Sequence, residues 1–185
     1  PAPKKNEPKV LLLPLKNKDC NRVIQYLFGR GIDYQLIQEC IADGTLYESA
    51  DYHNAVFVGY DTSGTPRHAH KRGTATSNPY KGNVAGSQPE YSFHFNGISN
   101  SFYLFEAPID MLSFISMHKD NWQQHSYAAS CSVSDRVLFQ CLKDNPNIKN
   151  VYLCFDNDQA GQTSNKRIAE KLNKMNIQNE ILIPT

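Results

Sequence analysis

The first regular pattern in the chain is an apolar stripe with helical spacing. Asp19 can cap the predicted helix at its start, and Gly29 and Gly31 predict its end. The apolar positions, which follow the i, i+3, i+4, i+7, i+8 pattern of one buried face, are Cys20, Val23, Ile24, Leu27 and Phe28. A second, shorter helix is predicted between a cap at Asp33 and a stop at Gly44. Its inward positions are Leu36, Ile37, Cys40 and Ile41.

The pattern then changes to that of a β-hairpin. Residues 55–60 form an apolar run, residues 61–64 are typical of a turn, and residues 65–70 predict the return strand. Residues 71–90 are rich in Gly, Ser, Asn and Pro and predict a long loop. Loops of this length in compact domains are usually functional or disordered.

From about residue 91, short apolar runs alternate with helical patterns. The predicted strands cover residues 101–105, 125–130, 151–155 and 180–183. The predicted helices cover residues 108–118, 134–142 and 160–175. This alternation predicts parallel β-α-β units, hence an α/β fold with a parallel sheet flanked by helices. Sheets of this type bind ligands at the carboxyl ends of their strands.

Length and composition set the domain organisation. The chain has 185 residues, of which 40% are hydrophobic and 11% aromatic, which is enough for a substantial core. No apolar run approaches the ~20 residues of a membrane span, so we expect a soluble, cytoplasmic protein with no membrane partner. We expect a linker at residues 1–18, a smaller α+β domain at 19–98 and the parallel α/β domain at 99–185. Because the chain begins at Pro1 and stops just after a predicted strand, we expect a fragment of a longer protein.

The cysteine count and the net charge exclude few classes of function. The five cysteines are odd in number and form no C-x-x-C pair, which favours small buried side chains in a reducing compartment over a zinc site. The net charge of +1 neither requires nor excludes a nucleic-acid partner. Four aromatic residues are either base-stacking side chains or, more commonly, strand and core residues: Tyr80, Tyr91, Phe93 and Phe95.

Basic residues cluster from position 67 to position 81. Six of them occur with no acid among them: Arg67, His68, His70, Lys71, Arg72 and Lys81. We interpret four of these as candidate phosphate contacts for a nucleic acid: Arg67, Lys71, Arg72 and Lys81. The alternative is a solvated, charged loop. His68 and His70 fall on one face of a strand but lack the further ligands of a metal site.

Three acidic residues directly follow predicted strands. Glu106 follows the strand at 101–105, and Asp156 and Asp158 follow the strand at 151–155 and precede a helix. In a parallel sheet these carboxylates meet at one edge, where they repel each other unless a cation compensates them. Oxygen-only ligands favour Mg²⁺ or Mn²⁺ over zinc.

Each acidic motif alone has a simpler interpretation. The aspartate pair is compatible with a surface turn, and Glu106 with an acid that complements a helix dipole. A calcium loop is excluded because Ala160 and Arg167 stand at ligand positions five and twelve. A dehalogenase-like phosphatase expects Gly-Thr after the aspartate pair, where this chain has Gln159 and Ala160. The combination of motifs therefore carries the interpretation.

That combination resembles the TOPRIM domain. Residues 104–110, Leu-Phe-Glu-Ala-Pro-Ile-Asp, look like its first motif, and residues 155–161, Phe-Asp-Asn-Asp-Gln-Ala-Gly, are similar to its second. The small residues at 128–132 stand where the family has a loop after its second strand. The resemblance implies catalytic roles for Glu106 and Asp110, the latter as a supporting acid or second-metal ligand. It implies a metal site formed by Glu106, Asp156 and Asp158.

Upstream residues resemble bacterial primases. Residues 26–32, Tyr-Leu-Phe-Gly-Arg-Gly-Ile, look like the YL-x-x-RG helix before the primase core, and residues 56–64 resemble its strand and turn. The arrangement is also similar to primase-like proteins of bacterial mobile elements. The resemblance implies Mg²⁺-dependent (or Mn²⁺-dependent) nucleotidyl transfer in DNA replication. It implies DNA and nucleotides as partners, with a helicase or relaxase as further candidates.

Two departures from the family keep alternatives open. Ala107 stands where the family usually has glycine, which reduces backbone freedom beside Glu106. The family has further acids after the strand that matches residues 180–183, where this chain ends, so we expect the fragment to bind metal weakly or to be inactive. The alternatives are a TOPRIM nuclease or topoisomerase, and a non-catalytic TOPRIM module that binds DNA or protein.

Overall fold

Two helices and a small antiparallel sheet form the first part of the fold. The computed structural model describes residues 10–75, 79–132 and 134–183. The helices are α1 (Asn21–Gly29) and α2 (Tyr34–Ala42). The strands are β1 (Leu46–Glu48), β2 (Ala55–Tyr60), β3 (Pro66–Arg72) and β4 (Lys81–Asn83), in the order β1-β2-β3-β4.

The start of α1 is fixed by a residue from the sheet. The buried carboxylate of Glu48 accepts hydrogen bonds from the backbone N–H groups of Arg22 (3.0 Å) and Val23 (3.1 Å), which α1 cannot satisfy itself. The side chain of Asp19, the predicted cap, accepts from the Asn21 N–H at 3.0 Å, but the N-cap position is taken by Cys20. Phe28 is 61% exposed, so the predicted inward face of α1 is wrong at that position. In α2 the predicted cap is confirmed, since Asp33 accepts from the Leu36 N–H.

The hairpin at residues 55–70 is confirmed, but the predicted loop at 71–90 is wrong in part. Strand β3 continues to Arg72, β4 pairs with it antiparallel, and a 3₁₀ turn covers Pro89–Tyr91. The sequence Lys-Gly-Asn of β4 has no apolar alternation, so only its backbone pairing with β3 identifies it as a strand. Residues 76–78 lie outside the described part of the chain.

A mostly parallel five-stranded sheet forms the second part, which confirms the predicted α/β fold. Its strands are β5 (His94–Phe95), β6 (Ser101–Phe105), β7 (Ser126–Ala129), β8 (Asn150–Cys154) and β9 (Gln178–Ile181). The order is β5-β7-β6-β8-β9, with only β5 antiparallel. The helices are α3 (Pro108–Met117), α4 (Arg136–Asp144) and α5 (Gln159–Lys174). Strand β9 begins two residues earlier than predicted.

The two sheets share one hydrophobic core. Side chains of α1, α2 and β2 pack in it with those of α3, β6 and β7, and Phe57 meets Phe93 edge to face at 5.2 Å between centroids. The backbones approach closely at Gly59, where a Cβ atom would lie 1.8 Å from the carbonyl oxygen of Tyr91. A second core, under α4 and α5, covers the opposite face of the large sheet. The expected domain boundaries stay a prediction. None of the described helices is long and apolar enough to cross a membrane.

Candidate active site

Two neighbouring parallel strands bring the acidic motifs to one edge of the large sheet. Strands β6 and β8 pair in parallel with Phe105 opposite Cys154, so Glu106 and Asp156 leave the sheet on the same side. The loop after β7 closes over the first motif, because the Cys131 N–H donates to the Glu106 carbonyl oxygen at 3.0 Å. The carboxyl ends of the parallel strands therefore carry the candidate chemistry, as expected for such a sheet.

The second motif has a spacing that the start of α5 requires. Asp158 is the N-cap of α5, and its side chain accepts the Gly161 N–H at 2.7 Å. A Cβ atom at Gly161 would lie 2.0 Å from the backbone oxygen of Asp156. Only glycine lets the first turn of α5 pack this closely against the end of β8. The motif D-x-D-x-x-G is thus a folding requirement as well as a source of carboxylates.

A cleft of about 400 Å³ separates this acidic edge from the small sheet. We call it the acidic–basic cleft. Acidic and basic side chains both line it: Glu106, Asp110, Asp156, Arg30, Arg72 and Lys81. His70, Asn83, Cys131 and Ser132 complete the polar lining. Asp158 does not line the cleft. Its helix cap uses only one carboxylate oxygen, Oδ1.

The carboxylates of the cleft influence each other electrostatically. Partial burial raises the pKa of Glu106, the Asp156 charge raises it further, and the Lys81 ammonium acts in the opposite direction. Burial and the Asp156 charge also raise the pKa of Asp110, against the nearby guanidinium groups of Arg30 and Arg72. The cleft therefore disfavours the ionised forms of Glu106 and Asp110, and a cation bound beside them would compensate their charges.

The alternation of β3 divides the predicted basic cluster. Arg72 faces the cleft, whereas Lys71, its chain neighbour, lies on the opposite face of the sheet. Arg67 pairs with Asp61 at 2.6 Å, at the far end of the hairpin. Of the four residues predicted to contact phosphate, the cleft thus brings together Arg72 and Lys81. Arg67 does not reach the cleft, and its guanidinium is already paired with Asp61 within the hairpin.

Two residues at or beside the cleft, Arg30 and Tyr26, could not be recognised from the sequence as part of the site. Arg30 lines the cleft from the turn after α1, and its guanidinium carbon lies 5.9 Å from the centroid of the Tyr26 ring. The hydroxyl of Tyr26 accepts a hydrogen bond from Arg72 Nε at 3.2 Å. Both residues stand in the segment 26–32 that resembles primases. The motif identifies the helix that contributes to the site, but only the fold shows that Tyr26 contacts both Arg30 and Arg72.

The cleft has the donor chemistry of a magnesium site without forming a closed cage. Among the described residues, no three His, Cys, Asp or Glu side chains are arranged to hold a metal ion together. Mg²⁺ usually binds one or two carboxylates and keeps waters or substrate phosphates as its other ligands. Glu106, Asp110 and Asp156 supply carboxylates of that kind. His68 and His70 take part in no such group either.

Comparison with known families identifies the second part of the chain. Residues 103–185 match a family model described as Toprim-like. This part is a Toprim-like domain. It contains both acidic motifs, and the resemblance seen in the sequence is confirmed. Residues 25–99, which precede the Toprim-like domain, match a family described as a protein of unknown function, DUF3991.

Known proteins resemble the chain across both parts. An uncharacterised protein of Bacillus anthracis, pXO2-78, is 26% identical over 161 residues, which cover 80% of this chain and 46% of that protein. The chain thus spans about half the length of this curated relative. The DnaG catalytic core superposes with a TM-score of 0.63 at 15% identity, over 91% of this chain and 66% of that one. The DnaG primase catalytic domain bound to ssDNA gives 0.60 at 14%, over 91% and 67%. The Toprim-like domain and the part before it together have the fold of primase cores.

Proposed function

We propose that this chain is the catalytic part of a primase-like nucleotidyltransferase that acts on DNA. The observation that carries the proposal is the acidic–basic cleft of about 400 Å³, in which three carboxylates and three cations line the same space. Two of the carboxylates, Glu106 and Asp156, follow strands, and the third, Asp110, lies in the first turn of α3. Such a cleft suits a triphosphate, which needs cations for its oxygens and carboxylates for the metal that accompanies it. The similarity to primase cores supports the same proposal.

The basic side of the cleft is proposed to bind the phosphates of the nucleotide. Arg30, Arg72 and Lys81 line this side, and the Tyr26 hydroxyl holds the Arg72 side chain in place. A guanidinium offers paired N–H donors that match phosphate oxygens, and an ammonium adds a compact charge. Fixed in this way, the cations orient the triphosphate against the acidic edge of the Toprim-like domain.

The acidic side is proposed to handle the proton and the metal. Glu106 has a raised pKa, so its carboxylate is a better proton acceptor than an ordinary glutamate and suits removal of the proton from the attacking hydroxyl. Asp156, with Asp158 as a further candidate, would hold Mg²⁺ or Mn²⁺, and Asp110 would support Glu106. When bound, the metal ion would neutralise charge on the phosphate oxygens during transfer.

The proposal is tested by nucleotide incorporation on a single-stranded DNA template in the presence of Mg²⁺. Glu106→Gln and Asp156→Asn keep the size of each side chain and remove its charge. We expect each to lower the rate by on the order of 10²-fold or more, as for other groups that stabilise transition-state charge. Glu170→Gln is the matched control, because Glu170 is exposed on α5 away from the cleft. Incorporation by Glu106→Gln at the wild-type rate would contradict the proposal.

The assay is best run on the curated relative of Bacillus anthracis as well as on this chain, because this chain spans about half of its length. Nicking or relaxation of supercoiled plasmid that depends on Glu106 would assign the alternative, a TOPRIM nuclease or topoisomerase. DNA binding that needs no metal, with no turnover by either protein, would assign a non-catalytic module. We also propose a helicase or relaxase as a partner, a mobile element as the origin of the protein, and a cytoplasmic location.

A further inference from the structure

A second cavity lies on the opposite face of the small sheet from the acidic–basic cleft. It has a volume of about 460 Å³, within the range of small-molecule sites. We call it the outer cavity. Four of its lining residues matter here: Tyr52, Asn54, Lys71 and Tyr80. Because Arg72 faces the cleft and Lys71 faces the outer cavity, adjacent residues of β3 serve two separate sites.

Asn54 supplies the outer cavity with a polar side chain. Its backbone is fixed to Ser49, whose N–H donates to the Asn54 carbonyl oxygen at 2.9 Å and whose hydroxyl accepts the Asn54 N–H at 3.1 Å. The side chain is only 6% exposed and lines the cavity, and within the described chain its amide has no hydrogen-bond partner. An amide that is open to the cavity offers both donors and an acceptor, so it can pair with a ligand that has acceptor and donor atoms of its own.

Two tyrosines and a lysine complete the outer cavity. Tyr52 is 85% exposed at a turn where Tyr52 and His53 both have positive φ, 59° and 51°. Such φ values are unfavourable for side chains of this size, and strain of this kind often accompanies a functional site. Tyr80 is 46% exposed, and the Lys71 ammonium lies 5.3 Å from its ring centroid. The outer cavity therefore presents aromatic surface, a buried amide and one cation.

We propose that the outer cavity binds one nucleobase and its neighbouring phosphate. The base would stack on the Tyr80 and Tyr52 rings, the Asn54 amide would pair with the base edge, and Lys71 would contact the phosphate. The choice of a nucleic-acid ligand rests on the proposed function, whereas the amide, the rings and the cation are independent of it. A template strand and a free nucleotide share this chemistry, so the test has an arm for each.

The first arm measures binding of a fluorescein-labelled single-stranded oligodeoxynucleotide by anisotropy, without divalent metal. Tyr80→Ala is expected to weaken binding roughly tenfold, whereas Tyr80→Phe keeps it. Tyr52→Asn removes an exposed ring and places at positive φ a residue that tolerates it, so the fold is kept. Lys71→Gln is expected to lower the slope of log affinity against log salt by about 1. The matched controls are Tyr34→Ala, at an exposed tyrosine of α2, and Lys143→Gln, at an exposed lysine of α4.

The second arm measures binding of a nucleoside triphosphate to the same variants by calorimetry. Weakened oligonucleotide binding alone assigns the cavity to a strand, and weakened triphosphate binding assigns it to a free nucleotide. If Tyr80→Ala and Tyr52→Asn bind both probes as Tyr34→Ala does, the inference is overturned. Failure of the proposed function is read separately, because it appears as unchanged incorporation in Glu106→Gln. The experiments therefore distinguish a protein that binds a ligand in the outer cavity without incorporating nucleotides from one that incorporates nucleotides without such binding.

Discussion

At the scale of single residues, Tyr26 connects the helical part of the chain with the cleft. Its hydroxyl accepts from Arg72, and its ring lies beside the Arg30 guanidinium, so one side chain orients two cations that belong to different elements. Neither arginine would be fixed by its own element, because Arg30 follows a helix end and Arg72 ends a strand. A tyrosine at this position therefore serves positioning rather than direct chemistry.

Removing only the hydroxyl isolates this positioning. In Tyr26→Phe the ring beside Arg30 remains and the hydrogen bond to Arg72 is lost. A single hydrogen bond of this kind contributes about 1 kcal/mol, so we expect the KM for nucleotide to rise roughly two- to tenfold with little change in kcat. Steady-state incorporation kinetics measure both constants. Tyr34→Phe is the matched control, at an exposed tyrosine of α2. An unchanged KM in Tyr26→Phe, or a fall confined to kcat, would argue against positioning of the nucleotide.

At the scale of elements, the strands and helices with strong apolar periodicity could be predicted from the sequence. Every strand and helix predicted after residue 100 is present. Most of them bury apolar side chains in the two cores, whereas β9 is largely exposed and is held by its parallel pairing with β8. Strand β4 could not be predicted, since its existence depends on pairing with β3 rather than on its own side chains. The candidate site could also be predicted only in part. The motifs place the acids after strands, but which basic residues of β3 face the cleft depends on the register of the sheet.

The junction between β8 and α5 is an element-scale feature with a sharp test. In Gly161→Ala the new Cβ atom meets the backbone oxygen of Asp156, and no side-chain rotation relieves a contact with backbone. We expect a loss of about 1–3 kcal/mol in the free energy of unfolding, measured by urea denaturation. Gly29→Ala is the matched control, because no atom lies within 4 Å of its Cβ position. There we expect a change within about 1 kcal/mol. Equal effects of the two substitutions would show that α5 does not depend on this close approach.

At the scale of the whole molecule, histidines of both sheets lie close together where the two sheets meet. His68 on β3 is fully buried, and in the described part of the chain neither of its ring nitrogens has a hydrogen-bond partner. Burial, together with the smaller effects of the nearby His70 and His94, lowers the pKa of His68 to about 4. His94 belongs to β5 of the large sheet, so this interaction joins the two parts of the fold. The folded molecule therefore holds His68 neutral, whereas the unfolded chain protonates it near its ordinary pKa of 6.5.

This difference predicts how stability depends on pH. Because the folded pKa lies below the unfolded one, the contribution of His68 is fully present above about pH 6.5 and is lost as the pH falls towards 4. A pKa difference of this size corresponds to roughly 3 kcal/mol. Glu106 and Asp110 have raised pKa values and act in the opposite direction, so the total pH dependence does not isolate the histidine.

A substitution at His68 separates the two effects, since Glu106 and Asp110 are common to both proteins. His68→Leu removes the titrating ring and its unpaired nitrogens. We expect its free energy of unfolding, relative to wild type, to improve by on the order of 2 kcal/mol when the pH is lowered from about 7.5 to about 5. His118→Gln, at an exposed histidine, is the control and should show no such improvement. A His68→Leu protein that loses stability with falling pH in parallel with wild type would mean that the junction of the two sheets opens before this histidine is protonated.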